Sequence, residues 1–219
     1  MLLQNVRVKV CCMRSEAEVR MAIDAGAAAL GFVSPMPSGP GTITDDDILR
    51  IVRHVPPPIS TFLLTCHQSI EPIIKQQRHC RCNTLQLCDD LVEGTHEELR
   101  AALPGVSIVQ VIHVCGEHSF DQAMKVAPHV NALLLDSGNQ SLAVKELGGT
   151  GRTHDWDISR RICAESPVPV FLAGGLNPDN VRQAVEKTRP FGVDLCSGVR
   201  TNDHLDEIKL RRFFEALRA

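Results

Sequence analysis

Leu133-Leu134-Leu135-Asp136 leads into Gly148-Gly149-Thr150-Gly151-Arg152-Thr153. Pro169-Val170-Phe171-Leu172-Ala173 leads into Gly174-Gly175-Leu176-Asn177-Pro178, and Phe191-Gly192-Val193-Asp194-Leu195-Cys196 leads into Ser197-Gly198-Val199. Three times in its last third, then, the chain passes from a short apolar run into a glycine-bearing turn. A run of this length fits a strand buried on both faces, as in a parallel sheet. Glycine at the exit lets backbone N–H groups approach an anion, and the helix that follows adds the positive end of its dipole. With an aspartate ending the first run, the three turns point to a phosphorylated small molecule.

The same alternation extends back to the N-terminus. Strand-like segments fall at residues 6–12, 28–33, 59–64, 84–87, 106–113, 132–135, 168–172 and 193–196. Helix-like segments fall at 16–25, 45–55, 70–78, 96–102, 120–126, 158–164, 178–187 and 205–217. Ser15 and Thr44 stand as N-caps before the first two helices. No low-complexity linker or change of composition interrupts the series, so residues 1–219 read as one domain. Its expected class is α/β, a single (β/α)8 TIM barrel, in preference to a doubly wound open sheet. In such barrels the loops after the seventh and eighth strands usually build the phosphate site, which is where the last two turns lie.

The 219 residues are 43% hydrophobic, enough to fill a substantial core, and their net charge of −3 argues against a nucleic-acid partner held by a basic surface. No stretch approaches the roughly 18 apolar residues of a membrane span. The first residues carry Arg7 and Lys9 and lack a signal-peptide pattern, so a cytosolic location is expected. Nine cysteines, an odd number lying mostly in apolar segments, read as small core residues and not as a disulfide framework. The cluster Cys66-His67 with His79-Cys80-Arg81-Cys82 invites a zinc reading, but no Cys-x2-Cys pair is present, and no metal is expected. Oligomeric state is not readable.

Side chains at the C-terminal ends of barrel strands face the active site. The reactive ones here are Cys11 or Cys12, Cys88 with Asp89 and Asp90, His113, Asp136 and Asp194. A thiol facing a carboxylate suits paired acid–base work, one group taking a proton from carbon while the other gives one to oxygen. Either cysteine alone also reads as core, and His113, alternating with apolar neighbours, reads as a satisfied interior histidine. Asp136 resists such a reading, because a carboxylate directly after three leucines is costly unless it caps or catalyses.

These residues carry a resemblance. Over nearly its whole length the chain resembles the phosphoribosylanthranilate isomerase family of tryptophan biosynthesis. The matching pieces are Lys9-Val10-Cys11-Cys12, Gly26-Ala27-Ala28-Ala29-Leu30-Gly31-Phe32-Val33, Leu85-Gln86-Leu87, Leu133–Asp136, the Gly148–Thr153 turn with Asp155-Trp156, Ala173–Pro178, and Gly192-Val193-Asp194 with Ser197-Gly198-Val199. The resemblance implies an Amadori rearrangement of an aminated phosphoribose, without metal or cofactor. Asp136 would be the acid that protonates the furanose ring oxygen. Cys11, as thiolate, would be the base that removes the C2′ proton, with Lys9 or Arg14 lowering its pKa. Gly149, Gly151, Gly174, Gly175, Asp194, Ser197, Gly198 and Arg200 are the expected substrate-binding residues.

Three departures from the family pattern stand out. Cys12 occupies the place of a glycine after the catalytic cysteine. The loop Ser34-Pro35-Met36-Pro37-Ser38-Gly39-Pro40-Gly41-Thr42 lacks the arginine that pairs with the anthranilate carboxylate, and reads as a stiff lid. Cys88 and Asp89 replace a histidine and a glycine. Loss of a forked guanidinium–carboxylate contact costs about 1.5–3 kcal/mol of binding. Arg200, where the family commonly has glutamate, or Arg14 is expected to supply that charge, the alternative being a solvated loop cation. Two rivals remain: a paralogous isomerase of another phosphorylated aminosugar, and a non-catalytic phosphosugar-binding barrel.

Overall fold

The computed structural model describes residues 6–37, 39–138, 145–148, 151 and 153–218. Eight parallel strands close into a barrel: β1 (Arg7–Val10), β2 (Ala29–Val33), β3 (Ser60–Thr65), β4 (Thr84–Leu87), β5 (Ser107–His113), β6 (Ala132–Asp136), β7 (Val170–Leu172) and β8 (Gly192–Leu195). Each strand pairs with the next, and β8 pairs back onto β1, with Lys9 opposite Asp194. The helices that follow them are α1 (Glu16–Ala25), α2 (Asp45–Val52), α3 (Ile70–Cys80), α4 (His96–Ala102), α5 (His118–Val126), α6 (Trp156–Glu165), α7 (Val181–Thr188) and α8 (Glu207–Arg218).

Local chemistry accounts for where the helices begin. The Ser15, Thr44 and Thr95 side chains accept from the Glu18, Asp47 and Glu98 backbone N–H groups, and Glu98 returns the bond to Thr95 in a capping box. Helix α7 starts at Val181, later than residue 178. The segment before it is a turn in which Asn177 Oδ1 accepts from the N–H groups of Asp179 and Asn180. Helix α8 starts at Glu207 because the residues before it form a small hairpin, β9 (Arg200–Thr201) against β10 (His204–Leu205). The hairpin turns through Asn202 and Asp203, at φ 49° and 63°, a pair of residue types that tolerates the left-handed region.

Period-two alternation sorts each strand between two layers. Val8, Val10, Leu85, Leu87, Leu133, Leu135, Val193 and Leu195 pack in the layer shared with the helices. Leu134, Val109, Val111, Phe62 and Phe171 fill the barrel interior. The residues in phase with the interior set are Lys9, Cys11, Gln86, His113, Asp136 and Asp194, so one face of the strands carries nearly all the polar chemistry inward. Of the cysteines considered for metal, Cys80 donates to the Asp45 carbonyl, while the neighbouring His79 pairs with Asp46. Among the described residues no three His, Cys, Asp or Glu side chains gather as a ligand set, and no helix is long and apolar enough to cross a membrane.

Candidate active site

At the C-terminal end of the barrel a cavity encloses about 660 Å³ of empty space, counting its open mouth. Its floor holds Cys11, Gln86, Cys88, Asp136 and Asp194; its rim holds Cys12, Met36, Gly148, Gly151, Gly174, Gly175, Cys196 and Ser197.

Cys11 follows β1, and its N–H donates to the Leu195 carbonyl at 2.8 Å, which ties it to the end of β8. Space for its thiol comes from Gly31 on β2, where a Cβ would lie 2.7 Å from Cys11 Sγ and 3.1 Å from Lys9 Nζ. The Cys12 side chain hydrogen-bonds to the Cys11 thiol. With Lys9 nearby, it holds that thiol below the usual cysteine range in spite of burial. Lys9 is fully buried and donates to Asp194 Oδ2 at 2.8 Å. Burial opposes its charge, but Asp194 and Cys11 outweigh burial and keep it above the ordinary lysine value. Arg14, the other cation considered for this role, instead donates to the Asp203 carbonyl.

Asp136 sits across the barrel at the end of β6 and is only 8% exposed. Burial raises its pKa, against the Ser137 N–H at 2.7 Å and the charges of His113 and Lys9. A carboxyl so placed keeps its proton to higher pH, as a general acid requires. His113, opposite Asp136 in the register of β5 and β6, donates from Nε2 to the Cys88 carbonyl at 3.0 Å. The Cys88 thiol is pushed up by burial and stays protonated.

The glycine turns converge on one side of the cavity. Gly174 and Gly175 take φ values of 83° and 64°, so the β7 exit needs residues without Cβ. Ser197-Gly198-Val199 forms a single 3-10 turn after β8, and a Cβ on Gly198 would collide with the Leu176 carbonyl. Gly151 also borders the cavity, with Ser197 Oγ 3.7 Å from where its Cβ would be. Gly149 lies outside the described residues.

Arg200, one of the two arginines expected to face a substrate carboxylate, does not line the cavity. Its side chain is 6% exposed; it pairs with Glu18 at 2.9 Å and donates to the Cys12 carbonyl at 2.5 Å. The charge expected to reach a substrate carboxylate is satisfied inside the protein. Among the described residues lining the cavity there is no arginine or lysine. Two further polar side chains do line it: Asp194, one of the expected substrate-binding residues, and Gln86, for which the sequence suggested no role. Gln86 Oε1 and Asp194 Oδ1 are buried acceptors with no hydrogen-bond partner among the described residues. Alternation along β4 and β8 would have put both inward.

A closed parallel barrel with a thiol and a carboxyl on its floor and glycine turns at the exits of β7 and β8 is the architecture of a (β/α)8 enzyme for a small anionic substrate. The family of N-(5'-phosphoribosyl)anthranilate (PRA) isomerases matches residues 8–216. A relative from Haloferax volcanii named N-(5'-phosphoribosyl)anthranilate isomerase is 36% identical over 211 residues, 96% of this chain and 91% of the relative. One of the same name from Methanothrix thermoacetophila is 32% identical, over 97% of this chain and 98% of its own. The crystal structure of phosphoribosyl anthranilate isomerase from Thermotoga maritima superposes with a TM-score of 0.82 at 27% identity, covering 97% of this chain and 98% of that one. A second structure, of a phosphoribosyl anthranilate isomerase in complex with reduced 1-(o-carboxyphenylamino)-1-deoxyribulose 5-phosphate, gives 0.79 at 26%, covering 97% of this chain and 98% of that one. The chain belongs to the phosphoribosylanthranilate isomerase family.

Proposed function

We propose that this chain catalyses the Amadori rearrangement of N-(5'-phosphoribosyl)anthranilate, an aldose–ketose isomerisation in tryptophan biosynthesis, with Cys11 as base and Asp136 as acid. The observation that carries the assignment is the placement of a thiol and a carboxyl, Cys11 after β1 and Asp136 at the end of β6, in one cavity at the C-terminal end of the barrel; the thiol is lowered and the carboxyl raised. Asp136 gives its proton to the furanose oxygen, so that the ring opens to a Schiff base. Cys11 then takes the C2′ proton, and the resulting enolamine tautomerises to the ketone. Gly174, Gly175, Ser197 and Gly198 hold the phosphate through backbone N–H groups, with Gly151 bordering the same cavity. The phosphorylated ligand in the related crystal structure supports a substrate of this class. Asp194 keeps Lys9 beside Cys11 and offers its free oxygen to a sugar hydroxyl.

The test is a fluorescence assay with freshly formed phosphoribosylanthranilate, run beside Cys11→Ala and Asp136→Asn. Turnover by the wild type, with loss of about 10²–10⁴-fold in each variant, supports the assignment. One observation favours a second reading, a paralogue acting on another phosphorylated aminosugar. Met36 occupies the cavity side of the loop after β2, and no arginine or lysine is found among the described lining residues. A folded protein that binds inorganic phosphate but leaves phosphoribosylanthranilate unchanged would favour that reading.

A further inference from the structure

Two of the departures from the family pattern touch each other, and a third residue joins them. Cys12 stands in the usual glycine place and keeps a glycine's backbone, at φ 65°, a conformation that disfavours any side chain with a Cβ. The backbone of Gly41 packs against it so closely that a Cβ there would sit 2.5 Å from Cys12 Cβ. Cys12 is thereby held, and its sulfur lies 2.7 Å from the sulfur of Cys196, 184 residues away at the exit of β8. Arg200, in the usual glutamate place, donates to the Cys12 carbonyl, and its charge acts on both sulfurs. The catalytic scheme uses neither thiol as acid or base.

We propose that Cys12 and Cys196 are an oxidisable dithiol: a peroxide converts them to a disulfide that clamps the exit of β1 to the exit of β8 and reversibly lowers turnover. A disulfide bond of about 2.05 Å needs the two sulfurs to approach by only about 0.7 Å. Both border the active-site cavity, but they differ in access: Cys12 is buried and Cys196 only partly so. Cys196 is therefore the sulfur that meets the oxidant. Its sulfur attacks the peroxide; the O–O bond breaks, one oxygen stays on sulfur as a sulfenic acid, and the other leaves as water with the Cys196 proton. The Cys12 sulfur then attacks Cys196, the S–O bond breaks, and a second water departs with the Cys12 proton. Two thiols have lost two electrons and two protons, and one hydrogen peroxide has become two waters.

Turnover falls because Cys12, once bonded to Cys196, no longer has a proton to donate to Cys11. The effect on turnover rests on the isomerase reading, whereas disulfide formation does not.

The experiment treats the reduced full-length protein with hydrogen peroxide and quenches it with an alkylating reagent. Mass spectrometry of its proteolytic peptides follows, with turnover measured before and after dithiothreitol. The expected result is a cross-linked peptide joining Cys12 to Cys196 and loss of two of the nine thiols. Turnover should fall severalfold and return with dithiothreitol. In Cys196→Ser, whose fold is checked by its melting curve, peroxide gives no cross-link and no loss that dithiothreitol restores. A Cys11–Cys12 disulfide, oxidation to sulfinic acid alone, or a Cys12–Cys196 bond that leaves turnover unchanged would each overturn the proposal. The peptide map of the wild type decides the disulfide even if the protein turns over a different substrate.

Discussion

For Cys11 to take a proton from carbon while Asp136 gives one to oxygen, the thiol must be ionised when the carboxyl is protonated. In water the order is the reverse, a carboxyl titrating near 4 and a cysteine at about 8.5. The working combination is then a minor state at every pH. The site narrows the gap from both ends. Burial raises Asp136, while the Cys12 hydrogen bond and the Lys9 charge lower Cys11. Each movement enlarges the fraction of molecules in the working state. The dependence of kcat/KM on pH is expected to be a bell with its maximum between the two titrations. Inactivation by iodoacetamide, followed through Cys11 alkylation, should show a midpoint below about 8.5. Gly31 sets a second condition, since any Cβ there presses on both Cys11 and Lys9. Gly31→Ala is expected to lower the unfolding free energy by about 1–3 kcal/mol in a denaturant titration and to slow turnover as well. That Cys11 and Asp136 face the cavity was legible because chemistry-bearing residue types ended apolar runs. Lys9 was legible as a neighbour of the thiol. Its pairing with Asp194 was not, because nothing local in a sequence announces that its first strand meets its last.

Elements were legible wherever a cap or a breaker stood beside a periodic segment. Strand β4 and helix α4 fall at residues 84–87 and 96–102, where the pattern put them, the helix fixed by the Thr95–Glu98 capping box. The β9–β10 hairpin had no expected counterpart, and only its last residue, Leu205, fell within the expected helix, because two-residue strands have no period to detect and the Asn202-Asp203 turn is its one signal. The hairpin matters for Arg200. It starts at that residue, turns the guanidinium back toward α1, and brings the Leu205 N–H to the same Glu18 carboxylate at 3.1 Å. Glu18 thus joins α1 to the hairpin, and its hydrogen bonds to Arg200 keep its pKa below the usual range in spite of burial. A carboxyl depressed on folding contributes stability above its unfolded pKa, about 4.3 for glutamate, and loses it as pH falls through the folded value. Glu18→Ala, which leaves Arg200 buried without its partner, is expected to cost about 3–5 kcal/mol by chemical unfolding at neutral pH. Glu18→Gln should abolish the part of the acid-induced loss that this group contributes, seen as a flatter stability curve below about pH 4.3.

At the scale of the whole molecule, the barrel was readable from the count and order of its units. Eight short apolar runs alternating with amphipathic helices leave little but closure to satisfy the first and last strands. What the pattern did not carry is how the closing seam is held. In β1 and β8 the central interior residues are Lys9 and Asp194, directly opposite in register and bonded at 2.8 Å. Lys9 also lies over the Phe62 ring, 5.1 Å from its centre. An ion pair in a barrel interior gains little over an apolar pair of similar size, because each charge has lost its water. Its place beside Cys11 gives a reason for having it there. Stability and chemistry can therefore be separated at this seam. Lys9→Met strands the Asp194 carboxylate, and is expected to lower the unfolding free energy by about 3–5 kcal/mol, or the melting temperature by about 6–20 °C. The double variant Lys9→Met, Asp194→Leu removes both charges and should recover most of that stability in a calorimetric scan. Its Cys11 thiol, without the lysine, should titrate at higher pH and react more slowly with iodoacetamide at neutral pH. If the double variant melted as low as the single one, the seam would depend on the ion pair itself and not on avoiding an unpaired charge. If its thiol reacted as fast as the wild type, Lys9 would have no part in activating Cys11.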